Sequence, residues 1–241
     1  MLPIIDFPFI GRVYTYPLFL GFALAFLFTN IEIINEKKNI LGKKDLRILF
    51  LVTCFNAYIG AKFLFYLSTG TLSFNFFIDK SFWLGGGLVF YGGYIFGFVT
   101  LFLFFKLKNR KGSDFLPFLP YVIFTHSIGR LGCFFSGCCF GGICPISLFD
   151  RWPTQIIEAC FLLLLGFYIK KQISEGKFFI FNKYVFLYAT FRFVIEFFRG
   201  DDIRGLWLLT LSTSQIISVV LIFFAGACYL KESFSTKSSD T

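Results

Sequence analysis

The chain has 241 residues, of which 56% are hydrophobic and 15% charged, and its mean hydropathy is +0.74. Soluble domains average about 45–50% apolar and about 25% charged residues, so a soluble enzyme and a disordered chain are both excluded. The formal charge of +9 raises the question of nucleic acid, which is decided by where the charges sit.

In chain order, apolar stretches long enough to approach the roughly 20 residues of a bilayer-spanning helix fall at 14–34, 46–67, 82–105, 115–128, 155–169, 183–198 and 206–230. The fourth and fifth are short, so a re-entrant or tilted course is expected there. The start of the chain lacks a basic region before its first apolar stretch. That stretch is therefore read as a retained anchor and not as a cleaved signal. The 40 Phe are spread over every apolar stretch and reflect composition more than a site.

The basic residues alternate along this pattern. Lys37, Lys38, Lys43, Lys44 and Arg47 follow the first stretch, and Lys106, Lys108, Arg110 and Lys111 follow the third. Lys170, Lys171, Lys177 and Lys183 bound the loop after the fifth, and Lys231 and Lys237 sit in the tail. The positive-inside tendency then gives an all-α polytopic membrane protein of seven helices, N-terminus outside and C-terminus cytoplasmic, forming a single domain over 1–241. Topology accounts for the net charge, so no nucleic-acid partner is expected.

The outer side holds the unusual chemistry. A connection from Ser127 to Pro153 carries Arg130, four of the seven Cys and several Gly, and a second one reads Arg199-Gly200-Asp201-Asp202-Ile203-Arg204. Lys62, Glu158, Arg192 and Glu196 lie within or at the ends of spans, where a charge costs a few kcal/mol and marks a functional candidate. For Arg192 and Glu196, an i,i+4 pair, a buried structural ion pair is the alternative.

Gly129-Arg130-Leu131-Gly132-Cys133-Phe134-Phe135-Ser136-Gly137-Cys138-Cys139-Phe140-Gly141 resembles the signature Gly-Arg-x-Gly-Asn-Phe-x-Asn-Gly-Glu, with a Gly three residues later, of the prolipoprotein diacylglyceryl transferases, and it is one of six blocks in family order from Gly60 to Gln215. Gly60-Ala61-Lys62 with Tyr66, Gly86-Gly87 through Phe90-Tyr91-Gly92-Gly93, and Pro153-Thr154-Gln155-Ile156-Ile157-Glu158-Ala159 are similar to three further family segments. Tyr188, Arg192 and Glu196-Phe197-Phe198-Arg199 resemble a fifth, and Ser212 with Gln215 a sixth.

The resemblance implies transfer of a diacylglyceryl group from phosphatidylglycerol to the lipobox cysteine thiol of a prolipoprotein, with glycerol phosphate released. The setting it implies is the bacterial inner membrane, with the lipid bilayer and the prolipoprotein signal peptide as partners and no metal or organic cofactor. Arg130, Arg199 and Lys62 would bind the headgroup, because a departing phosphate monoester needs cations and a guanidinium grips its oxygens in pairs. Tyr91, His126, Arg192 and Glu196 would be catalytic, with Tyr66, Gln155, Glu158, Cys133 and Cys138 in support.

Two departures stand out. Tyr91 replaces the family's His, and a phenol of ordinary pKa near 10 is a poor base at neutral pH. The only His, His126, precedes Arg130 by four residues, and the two share a face if that stretch is helical. Cys133, Ser136 and Cys138 stand where the signature has Asn, Asn and Glu. Cys133, Cys138, Cys139 and Cys144 form a C-x4-C-C-x4-C cluster open to three readings: an outer disulfide, reactive thiols, or a metal site. Compartment favours the disulfide, and the spacing departs from the C-x2-C of zinc sites. Cys54, Cys160 and Cys228 read as small apolar residues within spans. A non-catalytic or thiol-redox relative that binds phospholipid or an apolar peptide is the alternative function.

Overall fold

The computed structural model describes residues 3–7, 11–69, 88–145, 150–177, 179–200 and 211–239. Gly86, Gly87, Asp201, Asp202 and Arg204, with the 82–87 and 206–210 parts of two expected spans, lie outside them.

The chain opens on a feature the all-α reading lacks, an antiparallel hairpin of β1 (Ile4–Phe7) and β2 (Gly11–Tyr14) with Asp6 opposite Arg12. It closes on the next element, where Thr15 donates its backbone N–H and hydroxyl to the Pro3 carbonyl. Helices then follow: α1 (Thr15–Lys38), α2 (Lys43–Ser68), α3 (Phe90–Leu107), a 3-10 turn (Gly112–Phe118) leading into α4 (Leu119–Ser136), α5 (Thr154–Ser174), α6 (Ile180–Ile195) with a 3-10 turn (Glu196–Phe198), and α7 (Thr213–Ser239). Among the described residues, four segments are long and apolar enough to cross a membrane: Thr15–Lys38, Lys43–Ser68, Phe90–Leu107 and Gly112–Ser136. α5 is 21 residues long, but Glu158, Lys170 and Lys171 interrupt its apolar run.

Two expectations about these elements are corrected. The fourth stretch is not short, because the 3-10 turn and α4 together run Gly112–Ser136, 25 residues. Arg130 and Cys133 therefore sit on a helix and not in the outer connection. Gly129 and Gly132 lie inside that helix, which accepts glycine at about 1 kcal/mol each where packing compensates. Gly132 has that compensation: a Cβ there would run into Phe19 of α1, with the Tyr16 ring just beyond.

The outward surfaces are apolar. Phe22, Leu51, Phe102, Leu164 and Phe223 are each more than 60% exposed on their helices. Large apolar side chains facing outward on successive helices suit hydrocarbon as solvent. This is a multi-pass membrane protein.

The chain divides into two compact units, Asn35–Phe115 and Met1–Ile34 with Leu116–Thr241. In the Asn35–Phe115 unit α2 and α3 run antiparallel, with Asp45 at the start of α2 meeting Lys108 after α3 at 2.8 Å and the Val89 N–H reaching the Ala61 carbonyl at 3.1 Å. Their seam is backbone on backbone, since a Cβ on Gly60 would strike the Gly92 carbonyl and one on Gly92 the Gly60 carbonyl. The turn before α2 is tied by Asn35, whose amide donates to the Leu41 carbonyl at 2.7 Å and whose oxygen accepts the Leu41 N–H at 2.9 Å.

In the other unit α4 packs on α5 and α6 on α7. Ser127 donates to the Ala159 carbonyl, linking α4 to α5, and the Phe161 and Phe191 rings stack at 3.9 Å between α5 and α6. The Ser212–Gln215 block has a structural role here. The Ser212 hydroxyl accepts the Gln215 N–H at 3.2 Å and the Gln215 side-chain oxygen accepts the Ser212 N–H at 2.9 Å, a reciprocal cap on the start of α7.

Candidate active site

The helical spacing of α4, α5 and α6 brings their polar residues to one buried place. His126 and Arg130 are one turn apart on α4, Gln155 and Glu158 on the first turns of α5, and Tyr188 and Arg192 one turn apart on α6, with Glu196 following in its 3-10 turn. Arg130, Gln155, Glu158, Arg192 and Glu196 are all buried.

Glu158 is the hub. Its Oε1 receives Arg130 Nη2 at 3.0 Å and the Tyr188 hydroxyl at 3.2 Å, with His126 Nε2 at 3.9 Å. Its Oε2 lies 3.5 Å from Arg192 Nη1. Arg192 then reaches on to Glu196, Nη2 to Oε2 at 2.7 Å, and Arg199 Nη1 stands 3.7 Å from the same oxygen. The expected i,i+4 pair of Arg192 and Glu196 thus exists, but as one link of a longer chain. His126 and Arg130 do share a face and meet the same carboxylate. Three guanidiniums against two carboxylates leave these five side chains one positive charge in excess, before His126 and the neighbouring Cys139 are counted.

Arg199 is positioned by backbone pairing. The segment after α4 runs between two others: Gly141 donates to the Trp152 carbonyl at 3.1 Å, Gly142 to the Phe198 carbonyl at 2.9 Å, and Gly200 to the Phe140 carbonyl at 3.2 Å. Gly141 and Arg199 form an antiparallel bridge. A Cβ on Gly141 would collide with Trp152 and one on Gly200 with Gly142, so the last glycine of the signature segment is fixed by close approach.

The cysteines are arranged otherwise than expected. All seven are free thiols, so the anticipated outer disulfide is not formed. Instead α4 ends in a Schellman turn: Gly137 takes φ 76°, the Cys138 N–H bonds the Cys133 carbonyl at 3.1 Å and the Gly137 N–H bonds the Phe134 carbonyl at 3.2 Å. This motif sets the side chains at its first and last positions against each other, and here those positions are Cys133 and Cys138. Cys139 follows with φ 59° and completes the group, the three sulfurs lying within 4.8 Å of one another. Gln155 Nε2 donates to the Cys138 carbonyl at 2.8 Å and the Thr154 hydroxyl to the Cys139 carbonyl at 3.1 Å, fixing the loop. Hydrogen bonds from Cys133 and Cys138, and then the guanidiniums of Arg130 and Arg199, hold the Cys139 thiol well below the usual thiol range.

Lys62, Tyr66 and Tyr91 belong to the Asn35–Phe115 unit. Lys62 is fully buried on α2 with Nζ 5.8 Å from the Tyr58 ring centroid, Tyr66 lies one turn further on, and Tyr91 is buried at the start of α3 beside the Gly92 seam. The sequence reading left out of the site Tyr188, one turn before Arg192, Thr154, adjacent to Gln155, and Ser127, which follows His126 and bonds the Ala159 carbonyl.

The structure defines a multi-pass helical membrane protein with a buried, net-positive arginine–carboxylate cluster. The family model of prolipoprotein diacylglyceryl transferase matches residues 4–231, and the chain belongs to that family. Among relatives named phosphatidylglycerol–prolipoprotein diacylglyceryl transferase, the Campylobacter hominis protein is 28% identical over 92% of this chain and 85% of its own length. The Rickettsia africae protein is 30% identical over 88% and 89%. The Clostridium tetani protein is 33% identical over 58% of this chain, and the matched region spans 61% of that relative.

Proposed function

We propose that this protein transfers a diacylglyceryl group from phosphatidylglycerol to the lipobox cysteine thiol of prolipoproteins, in the bacterial inner membrane. The observation that carries this reading is the buried cluster of three arginines on two glutamates. A surplus cation held in a low-dielectric site suits the phosphate of an anionic lipid headgroup. In the reaction the C–O bond between the glyceryl carbon and the phosphate breaks and glycerol phosphate leaves with the electron pair. The incoming sulfur bonds to that carbon, and the thiol proton passes to a base.

Arg130 and Arg199 would grip the phosphate oxygens, with Lys62 a further headgroup cation by its matching family position. Arg192, held between Glu158 and Glu196, would stabilise charge on the leaving group. Support for His126 as the base comes from its place in the cluster, one turn from Arg130 and with Nε2 3.9 Å from Glu158. Tyr91 is the alternative by family position. The alternating basic loops support seven spans with the N-terminus outside, and the extent of the family match supports a single functional domain. A thiol-redox relative is the second reading, favoured by the three converging cysteines.

The test is to incubate the detergent-purified protein with phosphatidylglycerol and a lipobox peptide and follow thioether formation by mass spectrometry. His126→Gln is expected to slow transfer about 100-fold and Tyr91→Phe less than about tenfold, as loss of a positioned base requires. Equal rates for both variants and the parent would remove the base assignment. A parent that makes no thioether would remove the transferase reading.

A further inference from the structure

The transfer reaction leaves one constellation unused, the three thiols at the end of α4. Sequence spacing argues against a metal there, since i, i+5, i+6 is not a zinc-finger pattern. The fold supplies what spacing does not. The Schellman turn at Gly137 folds Cys138 back onto Cys133, and the left-handed Cys139 turns its sulfur to the same side. Three sulfurs equidistant from one cation at bonds of about 2.3 Å are about 4 Å apart, whereas a disulfide requires about 2.05 Å. The sulfurs here lie within 4.8 Å of one another and are unbonded thiols, which is compatible with the wider arrangement and not the shorter one. Their loop is anchored independently of any ligand by Gln155 and Thr154.

We propose that Cys133, Cys138 and Cys139 form a three-coordinate thiolate site for Cu(I). The donor set selects the ion. Among the described residues no imidazole or carboxylate joins the three sulfurs as a fourth ligand, while structural zinc takes four. Soft thiolates prefer Cu(I), which is satisfied by three. Binding releases the thiol protons, and Cu(I) with three thiolates carries two negative charges. Arg130 and Arg199, each also facing a carboxylate, are cations that act on this group and offset part of that charge. The proposal stands apart from the transferase reading, because occupancy is measured directly and not through turnover.

The full-length protein in detergent, reduced and freed of metal under anaerobic conditions, would be titrated with Cu(I) against bathocuproine disulfonate. One Cu(I) per chain is expected, with three sulfur neighbours in X-ray absorption. Cys133→Ser, Cys138→Ser and Cys139→Ser should each weaken binding by more than the roughly 10- to 100-fold that even an outer-shell change costs. Cys144→Ser and Cys160→Ser should leave it unchanged. Cys138 is the exposed member, so Cys138→Ser reads the site even if Cys133→Ser fails to fold. Binding indifferent to the three variants, or copper held by two sulfurs only, would overturn the proposal. So would protein isolated without reductant that carries a disulfide within the trio.

Discussion

In the Asn35–Phe115 unit two helices meet backbone to backbone at Gly60 and Gly92, and Lys62 is the one buried charged side chain among its described residues. In α4, α5 and α6 the helices meet through charge, with Arg130, Glu158, Arg192 and Glu196 buried together. The first arrangement needs no polar partner and tolerates no added volume. The second needs every partner, since removing one member of a buried pair leaves a charge stranded at about 3–5 kcal/mol. Helix packing in hydrocarbon is served by small residues, so the charges are retained for another purpose. The two regions should therefore fail for opposite reasons, by volume in one and by charge geometry in the other.

Arg130→Lys gives the largest expected effect. It keeps the charge but loses the fork, and thioether formation should fall about 1,000-fold, in the range for losing a preorganised donor at developing charge. A rate within about tenfold of the parent would mean that charge alone suffices and would blur the contrast. Gly92→Ala comes next: one methyl group meets the Gly60 carbonyl, and thermal unfolding in detergent should report a loss of about 1–3 kcal/mol. An unchanged melting temperature would mean that the seam can open. Ser212→Ala should be the mildest, costing about 0.5–2 kcal/mol through the lost cap of α7, a purely local effect visible as fraying in hydrogen exchange.

Much of this contrast is legible in the sequence. The apolar stretches, the i,i+4 pairs and the six ordered blocks identify the helices and the charged residues that meet, because helical period alone brings His126 beside Arg130 and Arg192 beside Glu196. Other parts are hidden for physical reasons. Gly132 suggests a loop, since its compensation lies on α1, far away in sequence. The hairpin of β1 and β2 escapes because Ile4-Ile5-Asp6-Phe7 reads as apolar run-in to the first helix. The convergence of Cys133 with Cys138 depends on a left-handed Gly137, a backbone state that composition does not reveal, although a glycine four residues after a Cys in a helix's last turn is where such a cap would be sought.

The bridge between Gly141 and Arg199 also orders events during synthesis. The chain is made from its N-terminus, so the loop bearing Cys138 and Cys139 emerges two helices ahead of the strand segment that pairs with it. Until α5 and α6 have been translated and inserted, that loop has no Phe198 carbonyl and no Arg199 beside it. Arg199 is the last of the cluster's residues to arrive, so a ribosome stalled within α6 would leave a nascent chain whose Cys139 thiol lacks the guanidinium that acts on it in the finished protein.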